Sequence, residues 1–382
     1  MMELLNYENL RLIWWLFIGV LLIGFAVMDG FDLGVAAMLP FVARTDNERR
    51  VAINSIGPTW EGNQVWFILG GGAVFAAFPL LYATAFSGFY FAMFLVLVAL
   101  IVRPVGFDFR HKIDDSRWRA AWDTCLFIGG VVPAVVFGVA IGNLFLGVPF
   151  TFDEDMRLFY TGGFWALLNP FALLVGVVSL SMLVMQGATF LSLKTEGDVA
   201  RRAGQVMTIA CAVFVVTFII AGIWVSYGMD GYVITSEVNP LAPSNPLAKT
   251  VSTESGAWLA NYTANPLLFV FPVIALAGAL GARVLVKAQA HVLAFISSSL
   301  TVAGTIATAG ASLFPFFMPS SQNLDASLTL WDASSSHTTL MIMFFATLIF
   351  LPLIIIYTSW IYRVMRGKVT EDYVKSNSGS LY

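Results

Sequence analysis

Charge is what this chain has least of. Asp, Glu, Lys and Arg make up 11% of its 382 residues, whereas soluble domains carry about 25%. No stretch is both long and polar enough to form a separate soluble domain. Histidine is nearly absent, at three residues: His111, His291 and His337. No two of them share an apolar run at ligand spacing, so the chain shows no sign of a haem-ligand pair of its own. The two cysteines, Cys125 and Cys211, both fall in apolar runs. Neither has a Cys or His neighbour at ligand spacing, so they read as small core residues rather than a disulfide or metal pair. There is no phosphate loop and no nucleophile–base pair with usable spacing. A net charge of −3 gives nothing to attract nucleic acid. The first apolar run is preceded by no basic segment and followed by no clear small-residue cleavage site. It is therefore expected to be a span rather than a removed signal.

What is present is apolar. The chain is 58% hydrophobic with a mean hydropathy of +0.82, the composition of an all-α, polytopic integral membrane protein embedded in the lipid bilayer. Runs long enough to cross a hydrocarbon core fall at about 10–38, 51–76, 83–103, 121–145, 164–192, 206–227, 265–286, 292–315 and 338–362. Nine spans in a single transmembrane domain over 1–382 are thus expected. Of the twenty Lys and Arg, only Arg11, Arg157 and Lys249 lie away from one set of alternate loops. Under the positive-inside rule this places the N-terminus outside and the C-terminus inside. Residues 228–264 form the longest outer loop, and a loop of that length is usually functional or packs on a partner.

Acids inside these runs carry the functional signal. In Asn54-Ser-Ile-Gly-Pro-Thr-Trp-Glu-Gly-Asn-Gln-Val-Trp66 the single charge is Glu61. It lies eleven residues beyond Arg50, roughly 16 Å along a helix and so near the middle of the membrane. A carboxylate there costs on the order of 3 kcal/mol. Asp29 and Asp32, three apart and so on one helix face, lie in the first span at nearly the same depth. Ionised together, the three acids would repel one another, and such a cluster can hold and pass a proton. The competing reading is structural: the acids pair with an arginine or with backbone groups and only orient helices. Arg103-Pro104 is expected to end the third span. Asp123 is expected in the first turn of the fourth, where an acid suits a helix N-terminus. Both are read as structural polar residues. No catalytic or metal-ligating residue is assigned. A proton-coupled secondary transporter, with Asp29, Asp32 and Glu61 as its coupling site, fits these features on physical grounds equally well.

Motifs separate the two. Ile13-Trp-Trp-Leu16, Gly24-Phe-Ala-Val-Met-Asp-Gly-Phe-Asp-Leu-Gly34 and the Asn54–Trp66 stretch resemble subunit II of the cytochrome bd-type quinol oxidases. So do Ala85-Phe-Ser-Gly-Phe-Tyr90, Arg103-Pro-Val-Gly-Phe-Asp108, Leu168-Asn-Pro-Phe171, Pro315-Phe-Phe-Met-Pro-Ser-Ser321, Met229-Asp-Gly-Tyr-Val233 and Leu328-Thr-Leu-Trp-Asp332. The resemblance runs from residue 10 to the end of the chain. It implies a bacterial cytoplasmic (inner) membrane protein paired with a haem-bearing subunit I of like fold. That subunit carries two b-type haems, haem d and the quinol site, and the complex oxidises quinol and reduces dioxygen to water. It further implies a candidate proton pathway at Glu61, to which the physical reading of the acids adds Asp29 and Asp32, and oxygen access at Trp66. Some members have Asp where this chain has Glu61. Small single-helix accessory subunits and a bound quinone within subunit II occur in the family, and no residue here maps that quinone.

The scarcity of histidine predicts that the chain expressed alone and purified binds no stoichiometric haem. An absorption spectrum of the isolated subunit tests this, and a full haem complement would refute it.

Overall fold

A computed structural model describes residues 5–377 and 381–382. Thirteen α-helices are found among the described residues: α1 Tyr7–Val42, α2 Asp46–Ile56, α3 Trp60–Ala77, α4 Pro79–Gly88, α5 Tyr90–Phe109, α6 Ser116–Leu146, α7 Pro170–Lys194, α8 Gly197–Tyr227, α9 Ala260–Ala264, α10 Val270–Lys287, α11 His291–Leu313, α12 His337–Val364 and α13 Glu371–Ser376. Eight of these helices are long and apolar enough to cross a membrane, and the bent pair α3–α4 supplies the material for a ninth.

Proline and glycine decide where the expected spans break. The second, 51–76, is two helices. Gly57-Pro58-Thr59 separates α2 from α3, since Pro58 has no N–H to donate and its ring clashes with the turn before it. The third, 83–103, begins too early and ends too soon. Pro79 opens the separate helix α4, set at 120° to α3. Ala76 and Ala77, at the end of α3, have their freed carbonyls bonded by Ser335 Oγ and Ser335 N at 2.6 and 2.7 Å. Arg103-Pro104 does not end the next helix, because α5 continues to Phe109 with Pro104 inside it.

Helix α1 is the axis of the bundle and packs against α3, α6, α7, α8, α11 and α12. Apolar side chains gain little by leaving lipid for protein, so close backbone approach must hold such helices together. Gly34 and Gly187 supply it. A Cβ on Gly34 would lie 2.0 Å from Leu183 O, and one on Gly187 would lie 2.6 Å from the Gly34 carbonyl carbon.

The far end of the bundle is stitched by loops. Three two-stranded antiparallel sheets form there: β1 Phe150–Phe152 with β2 Leu158–Tyr160, β3 Asp230–Ile234 with β4 Val251–Ser255, and β5 Phe316–Met318 with β6 Leu328–Thr329. The long 228–264 loop is thus partly a hairpin, and it folds onto its own chain. Arg11, wholly buried, donates to Pro240 O at 2.6 Å, Ala242 O at 3.0 Å and Ser334 Oγ at 2.8 Å. Lys249 pairs with Asp332 at 2.8 Å.

At the opposite, basic end, ion pairs join α2 to its neighbours. Asp123 lies two turns inside α6, whose N-cap is Asp115, so its expected place in a first turn is corrected. It takes a two-point contact from Arg110, at 2.6 and 3.3 Å, and a single one from Arg49 Nη1. Three cationic and acidic side chains are therefore brought together from three helices or their ends. Thr45 and Glu48 form a capping box at the start of α2. Arg202 of α8 grips both oxygens of Glu48, at 2.9 and 3.0 Å. Hydrogen bonds from Arg202, with those from the Thr45 and Arg44 backbone, hold the Glu48 carboxyl at about 2. Its folded value lies below the ordinary one of 4.5. The bridge therefore contributes its full stability above about pH 4.5 and loses it as pH falls through about 2. Glu48→Gln is expected to lower stability near neutral pH by on the order of 3 kcal/mol. The gap from wild type should close on acidification across that window. Thermal unfolding of the solubilised protein at a series of pH values measures it, and a gap independent of pH would contradict the assignment.

Candidate functional site

Where α1, α3 and α5 meet, the apolar core is interrupted by charge. Asp29 and Asp32 from α1 and Arg103 from α5 are wholly buried. Arg103 Nη2 donates to Asp29 Oδ1 at 2.7 Å. Asn63, on the first turn of α3, donates through Nδ2 to Asp32 Oδ2 at 2.7 Å. The Oδ1 of the same amide accepts from the Tyr362 hydroxyl of α12, also at 2.7 Å. Trp60 stands beside the guanidinium, its ring centroid 5.8 Å from Arg103 Cζ, and stacks on Phe107 with centroids 5.4 Å apart.

Local sequence places each of these groups. Asp29 and Asp32 share a face because they are three apart on a helix, and Trp60 and Asn63 share a face for the same reason. Pro58 restarts the helix at Trp60, which sets the rotation of α3 and turns Asn63 toward α1. Arg103 reaches Asp29 because α5 does not stop at Pro104.

Glu61 is not part of this cluster. It follows Trp60 and so stands at the same level, but on the other face of α3, and its side chain is exposed along with Gly62. The expected three-acid group is therefore a two-acid group with a bound guanidinium, and a separate acid across the helix. The structural reading, in which the aspartates pair with an arginine, describes Asp29. Trp66 lies against α1: a Cβ on Gly24 would come within 2.6 Å of its ring. The sequence reading did not anticipate Tyr362, nor Asn63 as the partner of Asp32. The available signal was Arg103 itself, since a guanidinium inside an apolar run needs an acid within reach.

A family model described as cytochrome bd terminal oxidase subunit II matches residues 10–365. The chain belongs to this family. It is 52% identical over 379 residues, 99% of this chain and all of the other, to cytochrome bd-I ubiquinol oxidase subunit 2 of Escherichia coli strain K12. It is 50% identical over the same spans to a probable cytochrome oxidase subunit 2 of Haemophilus influenzae. The cytochrome bd ubiquinol oxidase subunit 2 of Bacillus subtilis is 32% identical, over 95% of this chain and 98% of that one. The fold is also that of a chain in the bd oxidase of Geobacillus thermodenitrificans, with a TM-score of 0.70 at 14% identity, covering 93% of this chain and 98% of that one.

Membership in a subunit II family implies a partner subunit and an oxidase complex that works with haem. The residues of this subunit II do not themselves fit a haem's histidine ligands. His111, His291 and His337 lie at helix ends rather than inside the bundle, and His337 Nε2 is 2.8 Å from Leu5 O. No group of three or more His, Cys, Asp or Glu placed to hold a metal ion occurs among the described residues.

The Asp29–Arg103 pair yields a stability prediction. Arg103→Met strands the carboxylates, and Asp29→Asn takes the direct partner from a guanidinium that cannot lose its proton. Each is expected to cost about 3–5 kcal/mol. The double variant Asp29→Asn/Arg103→Met leaves no unmatched charge in the pair and should recover most of that loss. Melting temperatures of the purified complex decide the matter. A double variant as damaged as the two singles combined would show that the pair is not the unit.

Proposed function

We propose that the chain acts as subunit II of a cytochrome bd-type ubiquinol oxidase in the bacterial inner membrane, with its N-terminus outside. Its partner is a haem-bearing subunit I that holds the b-type haems, haem d and the quinol site. Those groups supply quinol oxidation and dioxygen reduction to water. This chain supplies support and access. Full-length identity of 52% to a protein named as that subunit supports the assignment, and nothing comparable supports a transporter. Small accessory subunits and a quinone within this subunit are parts of the same proposal.

The observation that carries the chain's own role is Glu61. An acid at the level of a buried charge cluster, on a face left open by every other element, is costly in lipid. Its neighbours on that face are apolar: Val65 and Ile68 are exposed, and α12 beside them is uncovered along most of its length. The economical arrangement puts this face against the partner subunit. Glu61 then stands at the boundary between the subunits, and α3 separates it from Asp29 and Asp32. Dioxygen reduction consumes protons, and a carboxyl at that boundary can accept a proton from the basic, cytoplasmic end and release it toward the partner. Asp29 and Asp32, with Arg103 and Asn63, would fix α3 in register behind it and extend the polar path. Trp66, one and a half turns on and anchored on Gly24, would flank the oxygen route.

Glu61→Gln preserves shape and hydrogen bonding but cannot titrate. It is expected to leave an assembled, haem-replete complex whose oxygen consumption per haem d falls by about tenfold or more. Glu61→Asp should restore part of the rate. A wild-type rate in Glu61→Gln would rule the relay out.

A further inference from the structure

The cluster at α1, α3 and α5 contains more hydrogen-bonding capacity than its side chains use. Asp29 Oδ2, Asp32 Oδ1, Arg103 Nε, Arg103 Nη1 and Trp60 Nε1 are all buried, and none has a hydrogen-bond partner among the described residues. Their residues are 0% exposed, or 5% for Trp60. Two of the five atoms are acceptors and three are donors. An unmet polar atom in a low-dielectric interior costs roughly 1–3 kcal/mol, and more when charged, so five in one place is an improbable resting arrangement for side chains alone. Repacking does not remove the mismatch. Turning Arg103 to grip both oxygens of Asp29 would satisfy Asp29 Oδ2 and one guanidinium nitrogen, but would leave Asp32 Oδ1, the other nitrogen and the Trp60 indole unmet.

We propose that Asp29, Asp32, Arg103 and Trp60 together enclose a small cluster of ordered water inside the bundle. A buried water makes about three hydrogen bonds, so about two waters match the donors and acceptors left over. Water is the chemistry the site selects: it both donates and accepts, as the mixed set requires, whereas an anion would face two carboxylates and a cation would face a guanidinium. Beside the cluster, on the basic side, the packing between α1, α2, α5 and α6 leaves a cavity of about 10 Å³, lined by apolar side chains that include Leu39, Ile56, Phe107 and Leu126. That is about one water's minimum room and its side chains offer no polar partner, so the waters belong among the charged groups, whose burial makes exchange with bulk solvent slow. They would join Asp29 to Asp32 and bring the indole N–H into the network, which Asn63 and Tyr362 continue to α12. This goes beyond the proposed function and does not depend on it.

The test uses the complex as purified from membranes. A cryo-EM map at a resolution that shows ordered solvent should contain density within hydrogen-bonding distance of Arg103 Nη1 and of the second oxygens of Asp29 and Asp32. Ultraviolet resonance Raman spectra of wild type minus Trp60→Phe isolate one indole. Its N–H band should have the position of a hydrogen-bonded indole and shift in D2O only over prolonged exchange. Well-ordered side chains with no density between them, or a free-indole band, would overturn the proposal. If Trp60→Phe does not assemble, the wild-type map alone decides.

Discussion

A guanidinium cannot shed its proton to enter a membrane; Arg103 must therefore be met by a carboxylate wherever α5 places it, and the packing of the first three long helices follows. Asp29 has to face α5, which sets the rotation of α1. Asp32, one turn on, then faces α3 and needs a donor, and Asn63 provides it. Gly34 and Gly187 let α7 approach the other side of α1 without disturbing that rotation. Charge matching in one place and backbone contact in another thus orient one helix, and that helix touches most of the bundle.

This explains why the two kinds of acid have different surroundings. Asp29 and Asp32 are locked into a polar network that spans four helices. Glu61 has no such network among the described residues. A protein that required only packing would have no use for an acid on its uncovered face. The division between a fixed pair and an unlocked acid, back to back across one helix, fits a subunit that lends a surface to a neighbour.

Much of this architecture was legible in the residues. Hydropathy located the apolar runs, because every backbone group in lipid must be satisfied within its own helix. Asp29, Asp32 and Glu61 stood out because charge is expensive there, whereas Arg103 read as the end of a span. What was not legible depended on direction rather than composition. The run 51–76 was read through Gly57-Pro58 as one span, and the rotation with which α3 restarts after that break separates Glu61 from the aspartates. The 120° bend between α3 and α4 had no mark in the spans, and Ser335, far along the chain, bonds the carbonyls freed at the end of α3. Pro104 looked like a terminus, and tertiary contacts carry the helix past it. Asp123 looked like a cap because the polar segment before it reads as loop, whereas its partners Arg49 and Arg110 come from other helices. Tyr362 was one tyrosine among eleven, with nothing local to mark it.

Arg11 carries a consequence for how the chain is made. Its guanidinium belongs to the first helix, yet its acceptors lie 229 to 323 positions later. At about 5–20 residues per second of synthesis, roughly ten to fifty seconds pass between emergence of the charge and of the earliest of these acceptors. During that interval the start of α1 has to be kept in water or among other proteins rather than in lipid. Insertion of the first segment and completion of its fold are therefore separate events. The far-end hairpin acts as a late clasp, closing only after most of the bundle has been laid down.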